Sequence, residues 1–307
     1  MKKIAETNTY ITVDPKNTPT ADVHQYLLGA VAPRPICFAS TVDKAGNANI
    51  APYSFFNCFS SNPPICVFSS NRKVADNTTK DTLQNVIDTR EVVINAVSYN
   101  IVYAMSLASV EYPYGVSEFE KVGLTPLSSD LVRPFRIKES PVQMECKVIQ
   151  ILPLGDKGGA GNLIICEVVR MHINTEILDE DKKIDPDKID LMGRMGRSFY
   201  CRASEEAVFP IYQNVNILGI GVDSLPQEIR HSKILTGNDI ARIATLPAFP
   251  DAQAMEKASQ DLGLGLPVTK TELTENFILA VHLQAQKLIA EDKVKEAFAL
   301  LMCTCLA

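Results

Sequence analysis

Residues 36–56 read ICFASTVDKAGNANIAPYSFF, and this stretch predicts a β-hairpin. The apolar run from residue 36 to 42 has the length and composition of a strand. Residues 43–47, DKAGN, combine aspartate, glycine and asparagine, which are typical turn residues. Residues 48–56 then predict the returning strand. The first unit of the chain is therefore expected to begin with antiparallel pairing.

Further strands are expected on both sides of a proline break at 61–64. The β-branched run at 91–97 is typical of a strand, and apolar and polar residues alternate from 142 to 148 with the period of a half-buried strand. Strands are also predicted at 65–69 and 163–173. Helices are expected through 81–87, capped by Thr78 or Thr79, and at 101–108. Many short strands with few long helices favour a β-barrel or sandwich over a parallel sheet.

The pattern changes after about residue 203, where helical spacing replaces the strand signals. We therefore predict a mainly β domain over residues 1–205 and a mainly helical extension, packed on it, over 206–307. The apolar residues expected to share one helical stripe are Phe277, Ala280, Val281 and Leu288, continued by Val294, Phe298 and Leu301.

Composition and charge exclude several classes of protein. Hydrophobic residues make up 46% of the 307 residues and charged residues 21%, which is typical of a globular protein. The net charge of −6 argues against a nucleic-acid binder. The sequence contains no apolar run long enough for a transmembrane helix, so no membrane association is expected. The first residues lack the apolar segment of a signal peptide, so we expect a cytoplasmic protein.

Cysteine and histidine are too dispersed for a metal site. The eight cysteines form no CxxC pair, and no two of the four histidines lie close together. We therefore expect reduced, mostly buried thiols and no bound metal. No resolving partner is evident for Cys58 or Cys66, so the sequence does not predict a redox role for either.

Hydroxyl, amide and cationic side chains gather between residues 34 and 85. A helix that starts near Lys80 and Thr82 offers free backbone N–H groups, and Arg72 adds a fork-shaped donor, so the cluster suits a phosphate. In an acidic protein this favours a phosphorylated small ligand over a polymer. The alternative is that Arg72 and Lys80 are exposed loop charges and that the hydroxyls only form turns.

These motifs together resemble the flavin reductase-like FMN-binding split-barrel family, which includes flavoredoxin. The resemblance rests on RPI at 34–36, ST at 40–41, NIAPYSFF at 49–56, PP at 63–64 and KDTLQN at 80–85. It continues through the hairpin that ends at 167–173 and the stretch MGRMGRSFYC at 192–201. Arg197 and Ser198 depart from the family, which tends to have another glycine there.

The resemblance implies a split β-barrel that binds FMN without a covalent bond, near a homodimer interface. Ser40 and Thr41 would lie beside the phosphate or ribityl chain, residues 49–55 along the isoalloxazine ring, and Arg72, Lys80 and Thr82 at the phosphate. A strand histidine, His172, is a candidate proton donor, although such a residue more often satisfies a hydrogen bond. The predicted cofactor-binding set is Arg34, Ser40, Thr41, Asn49, Ala51, Pro52, Tyr53, Ser54, Phe55, Ser69, Arg72, Lys80, Asp81 and Thr82.

The activity implied by the resemblance is that of an oxidoreductase, an NAD(P)H-dependent flavin reductase that takes electrons from NADH or NADPH through FMN. Two alternatives remain open at this point. One is a flavoredoxin-like electron carrier reduced by a redox partner protein. The other is a non-enzymatic FMN-binding module whose helical extension serves assembly. Split barrels carry no nicotinamide fingerprint, so the sequence does not separate the three.

Overall fold

The computed structural model describes residues 10–110, 112, 117–211, 217–261 and 274–305. The chain divides into two compact units, residues 1–210 and 211–307. The first unit contains the predicted strands, and the second is helical. The predicted domain boundary at 205, and the packing of the helical part on the barrel, stay predictions.

The first unit is mainly β. Its described strands are β1 Arg34–Pro35, β2 Cys37–Val42, β3 Ala48–Tyr53, β4 Phe56–Ser61, β5 Pro64–Ser69, β6 Glu91–Ala96, β7 Pro126–Leu127, β8 Arg136–Ile137, β9 Val142–Pro153, β10 Asn162–Ile173, β11 Leu191–Arg194 and β12 Tyr200–Ala203. Its described α-helices are α1 Thr20–Ala30, α2 Asp81–Thr89, α3 Val102–Leu107, α4 Glu118–Val122 and α5 Pro186–Ile189.

Seven strands form the main sheet in the order β3-β2-β6-β9-β10-β5-β4. Every neighbouring pair is antiparallel. In a flat sheet the two outer strands would lie about 29 Å apart, at about 4.8 Å per strand. Yet β3 and β4 are joined by Ser54 and Phe55 alone, a connection that spans at most about 11 Å. The sheet therefore curls until its two edges approach each other at this point.

Both faces of strand β2, which lies next to the edge strand β3 in the curled sheet, are buried. Successive residues of β2 alternate between two cores: Cys37 and Ala39 pack in one with α2, while Phe38 packs in the other with α3. This explains why β2 reads as a continuous apolar run. The structure confirms a mainly β fold with added helices and a helical C-terminal part, and its sheet is not closed by hydrogen bonds among the described strands. The split barrel itself stays a prediction.

Two local sequence predictions are wrong. The returning strand β3 ends at Tyr53, because residues 56–61 form a separate strand, β4, that pairs with β5. The proline break at 61–64 is thus the turn of a hairpin. Helix α2 is preceded by Lys80, with no side-chain cap, because the Thr78 hydroxyl donates to the Asp76 carboxylate at 2.7 Å instead of capping the helix.

The second unit is helical and has its own core. Its described α-helices are α6 Gln227–Arg230, α7 Gly237–Ala244, α8 Ala252–Asp261, α9 Glu275–Ala290 and α10 Val294–Cys303. The predicted stripe is buried at Val281, Phe298 and Leu301. Its members Phe277, Leu288 and Val294 are partly buried and pack against the same core. Ala280 is exposed, because the buried face of α9 runs through Val281, Ala285 and Ile289 at steps of four. Across the described residues, no helix combines the length and apolar character that a membrane span requires.

Phe298 tests the core of the helical unit. Its side chain is 1% exposed and lies 5.4 Å from the Phe249 ring. We expect Phe298→Ala to lower the free energy of unfolding of this unit by about 3–5 kcal/mol, because a large buried ring is replaced by a cavity. Urea unfolding followed by circular dichroism measures the change. The control Lys295→Ala alters an exposed residue of the same helix and should stay within about 0.5 kcal/mol. Equal effects for the two variants would contradict the assigned core.

Candidate functional site

A buried hydrogen-bond network centres on Asn49 of β3. The Asn49 Oδ1 atom accepts from the hydroxyls of Thr82, at 2.9 Å, and Thr41, at 3.2 Å. Thr41 lies directly opposite Asn49 on β2, and Thr82 is in the first turn of α2. The network thus brings together three of the predicted site residues from three elements.

Glu118, at the start of α4, completes this network. Its carboxylate accepts from Asn49 Nδ2 at 3.0 Å and from the Ile50 backbone N–H at 3.3 Å. Burial raises the pKa of Glu118 above its usual value, although these donors partly offset the effect. Two helices are therefore attached to β3 through one asparagine. The sequence offers no signal for Glu118, because it lies 69 residues from Asn49.

An open cleft of about 130 Å³ lies beside this network. We call it the α2 cleft. Lys73 and Lys80 both line it and bring positive charge. Asp81 and Thr82, as the first helical residues, have backbone N–H groups without a partner inside the helix. An anion is stabilised by such a helix start. The predicted residues that line the α2 cleft are Asn49, Ala51, Lys80, Asp81 and Thr82.

A second cleft of about 130 Å³ adjoins the first, and Ser109 lines both. We call it the Tyr53 cleft, and its predicted residues are Pro52, Tyr53 and Ser54. The Lys80 Nζ atom lies 5.6 Å from the centre of the Tyr53 ring. Burial raises the pKa of Tyr53 to about 12, with the Thr82 and Ser70 hydroxyls acting in the opposite direction.

Arg194 and Tyr200 also line the Tyr53 cleft, and the sequence analysis did not include either in its set of site residues. The Arg194 guanidinium lies 4.4 Å from the centre of the Tyr200 ring. Both residues belong to the stretch MGRMGRSFYC at 192–201, which already carried part of the family resemblance. From the sequence, Tyr200 is already a candidate for stacking on a ring, with simple packing as the alternative. For Arg194 that stretch was the signal that could have found it.

Four buried side-chain polar atoms of the first unit have no hydrogen-bond partner among the described residues. They are Ser40 Oγ, Tyr53 Oη, Ser70 Oγ and Arg72 Nε. The Arg72 Nη1 atom donates to the Asn77 carbonyl at 2.9 Å, so only part of the guanidinium is bonded. An unpaired buried polar atom costs about 1–3 kcal/mol. Ser40, Tyr53 and Arg72 belong to the predicted set, but Ser40 and Arg72 line neither cleft. The unpaired Tyr53 hydroxyl fits a site that a polar ligand completes.

Three predicted residues have mainly supporting contacts. Arg34 is 4% exposed, and its guanidinium donates to the carbonyls of Leu28, Val31 and Met195 and, at 3.4 Å, to Ser54 Oγ. The Ser69 hydroxyl donates to the Asn71 side chain at 2.7 Å. The Phe55 ring meets the His24 ring edge-on, with ring centres 6.2 Å apart. Arg34 therefore positions Ser54 rather than presenting a free guanidinium to a ligand.

His172 lies elsewhere on the sheet. Pro52 and His172 belong to one row of paired residues that runs across five neighbouring strands, β3, β2, β6, β9 and β10. Four inter-strand distances therefore separate them, which is about 19 Å along the sheet. The His172 Nε2 atom lies 2.7 Å from Glu145 Oε1, and its ring lines a separate cleft of about 590 Å³. The structure does not bring this candidate proton donor to the other predicted residues.

Asp130, Glu145 and His172 form the group of side chains closest to a metal-binding arrangement in the described part of the chain. Their potential ligand atoms lie within 4.8 Å of one another. The Glu145 carboxylate, however, already accepts from two backbone N–H groups, and Asp130 pairs with Arg170 at 2.6 Å. These contacts account for both carboxylates without an ion.

Comparison with known proteins places this architecture among flavin-related domains. Residues 29–188 match the family model of the flavin reductase like domain. A protein of Aquifex aeolicus is 41% identical over 192 residues, covering 62% of this chain and 95% of its own length. The structure of nitrilotriacetate monooxygenase component B from Bacillus cereus is 30% identical, with a TM-score of 0.62, and covers 67% of this chain and 100% of its own. The 2-nitrobenzoate 2-nitroreductase of Pseudomonas fluorescens is 27% identical, with a TM-score of 0.58, and covers 67% and 98%.

Glu145 makes the stability of the first unit depend on pH. Burial acts to raise its pKa, but the N–H groups of Asp130 and Leu131 and the His172 ring outweigh this, so the pKa lies below its usual value of 4.5. Its contribution to stability is therefore complete above about pH 4.5 and is lost as the pH falls through the lower pKa of the folded state.

We expect Glu145→Gln to cost about 1.5–3 kcal/mol at about pH 7 and clearly less at about pH 3, because the amide cannot accept both backbone N–H groups. Urea unfolding at the two pH values measures the difference. The control Glu180→Gln, at an exposed position, should show no such dependence. A cost for Glu145→Gln that is the same at both pH values would contradict the assignment.

Proposed function

Because this chain belongs to the flavin reductase-like domain family, we propose that it binds FMN in the α2 and Tyr53 clefts and acts as an NAD(P)H-dependent flavin reductase. One observation carries the proposal. Two separate sequence blocks, NIAPYSFF at 49–56 and KDT at 80–82, line two adjoining clefts that share Ser109. The unpaired Tyr53 hydroxyl, in the Tyr53 cleft, fits a polar ligand.

The phosphate would lie at the α2 cleft. Lys80 would supply a point charge, and the Thr82 and Asp81 backbone N–H groups would supply donors. Arg72 does not line this cleft, and we propose it as a further donor from its unpaired Nε and its place in the sequence cluster. The Thr82 hydroxyl already donates to Asn49. This bond holds the start of α2 against β3, so the donors are in place before a ligand arrives, and little ordering is needed on binding.

The isoalloxazine ring would lie along residues 49–55. Since β3 is an edge strand, the backbone groups on its outer side have no strand partner and can bond a planar heterocycle. Arg34 holds Ser54 from behind, and the Arg194–Tyr200 pair forms the opposite wall of the Tyr53 cleft. These side chains would orient the ring and exclude water from it.

Bound FMN would supply the redox chemistry, accepting a hydride from NADH or NADPH and passing the electrons on. The protein would bind, orient and tune the cofactor, so few catalytic side chains are needed. His172 has no place in this proposal, because the structure separates it from both clefts.

The assembly and location of the protein belong to the same proposal. The β3 edge, beside the proposed cofactor site, has no strand partner in the sheet, and such an edge calls for a cover. A homodimer that meets at this edge would provide one and would leave β4 exposed. A redox partner protein, a cytoplasmic location and the absence of nucleic-acid and membrane binding stay predictions.

Rapid mixing of the FMN-loaded protein with NADH and with NADPH tests the function. We expect fast bleaching of the flavin absorbance with at least one of the two donors. If neither donor bleaches it but a reduced redox protein does, the electron-carrier alternative replaces the reductase. A protein that takes up no FMN on titration would overturn the whole proposal.

The phosphate assignment predicts a ligand-specific effect of Lys80→Ala. Loss of one charge-assisted contact costs about 1.5–3 kcal/mol, which corresponds to about a ten- to hundredfold weaker affinity for FMN. Riboflavin has no phosphate, so its affinity should hardly change. Fluorescence titration of both flavins measures the contrast. Arg72→Ala should behave alike, and the double variant should be non-additive.

The control is Lys183→Ala, which removes an exposed lysine of the same unit and should alter neither affinity. Equal losses for FMN and riboflavin in Lys80→Ala would indicate a folding defect, and no loss for either would remove Lys80 from the phosphate site.

A further inference from the structure

Two cysteine thiols face each other across the hairpin formed by β4 and β5. Cys58 on β4 lies directly opposite Cys66 on β5. Their Sγ atoms are 3.1 Å apart. The sequence did not predict a redox role for either residue, because eight positions separate them and no resolving partner was evident. The structure supplies that partner.

The backbone geometry of this pair suits a disulfide. Directly opposite residues of antiparallel strands have Cα atoms about 4.5–5.5 Å apart. Disulfides span Cα distances of about 4.4–6.8 Å, with sulfur atoms about 2.05 Å apart. The two Sγ atoms therefore need to approach by only about 1 Å. The register of the hairpin does not have to change.

The two thiols have unequal environments. Cys58 is exposed on the edge strand, whereas Cys66 is 2% exposed. Burial, followed by contact with the Cys58 thiol, raises the pKa of Cys66 to about 12. Because of the difference in exposure, an oxidant in solution can reach Cys58 directly, while Cys66 is shielded from it and contacts the Cys58 thiol.

A third thiol is close but differs in access. Cys166 on β10 lies opposite Cys66 on the other side of β5. It is fully buried, and its thiol donates to the Ile164 carbonyl at 3.6 Å. Cys166 lies in the same cross-strand row as Cys58 and Cys66, but its burial keeps it from contact with peroxide in solution. It therefore provides a matched control.

We propose that Cys58 and Cys66 form a reversible, peroxide-sensitive dithiol site. The Cys58 thiolate attacks one oxygen of hydrogen peroxide, the O–O bond breaks, and a sulfenic acid forms at Cys58 with release of the first water. Cys66 Sγ then attacks the Cys58 sulfur, the S–O bond breaks, and the second water leaves with the Cys66 proton. Two thiols are oxidised to one disulfide, and one peroxide is reduced to two waters. A dithiol reductant reverses the change. None of these steps involves FMN.

The test counts thiols in the full-length protein before and after one equivalent of hydrogen peroxide. We expect the eight thiols of the reduced chain to fall to six and to return to eight with dithiothreitol. Residues 45–72 contain both cysteines and no internal lysine or arginine, so they form one tryptic peptide. Its mass should fall by two hydrogen atoms. If this peptide is then cleaved after Phe59, the disulfide should hold the two fragments together until it is reduced.

Single variants assign the roles. Cys58→Ser should keep its remaining thiols under the same treatment, and Cys66→Ser should stop at a sulfenic acid on Cys58 that dimedone traps. Cys166→Ser should still lose two thiols and form the same peptide bridge. Retention of all eight thiols by the parent protein, or loss of two thiols by Cys58→Ser, would overturn the proposal. A bridge to Cys166 in the parent protein would do so as well.

Discussion

The connection of two residues between β3 and β4 is the constraint on which the first unit depends. These strands are the two edges of a seven-stranded sheet, yet only Ser54 and Phe55 separate them. Such a short connection forces the sheet to curl. The Ser69 N–H donates to the Phe55 carbonyl at 2.8 Å and ties the connection to β5. A longer loop would allow the two edges of the sheet to separate.

The curl creates an interior in which polar groups must find partners. Asn49 meets this requirement by accepting from Thr41 and Thr82 and donating to Glu118. Because unpaired polar groups are costly when buried, this network holds α2 and α4 in one position relative to β3. The same network places the start of α2, with Lys80, beside the edge strand. The position of the proposed phosphate site is thus a consequence of satisfying one half-buried asparagine.

The edge at β4 has a different property from the edge at β3. Pairing of β4 with β5 places an exposed thiol, Cys58, opposite a buried one, Cys66, whose neighbour on the next strand is also a cysteine. Three adjacent strands therefore carry thiols in one row, and only the outermost is exposed to solvent. The thiol at the β4 edge is therefore accessible to oxidants in solution, whereas burial protects the two thiols further inside the sheet.

The sequence by itself determined the local structure wherever a side-chain period or turn chemistry was strong. The hairpin around DKAGN, the strands at 65–69 and 91–97, the paired long strands and the helix containing Thr82 were predicted, and so was the mainly β class. Tertiary structure decided what depends on partners distant in sequence. It showed β4 as a strand, Glu118 as the partner of Asn49, and Cys58 opposite Cys66. It also separated His172 from the clefts. Local patterns encode backbone preference and burial, whereas strand order and the curl of a sheet arise from closing long loops, which no short window of sequence records.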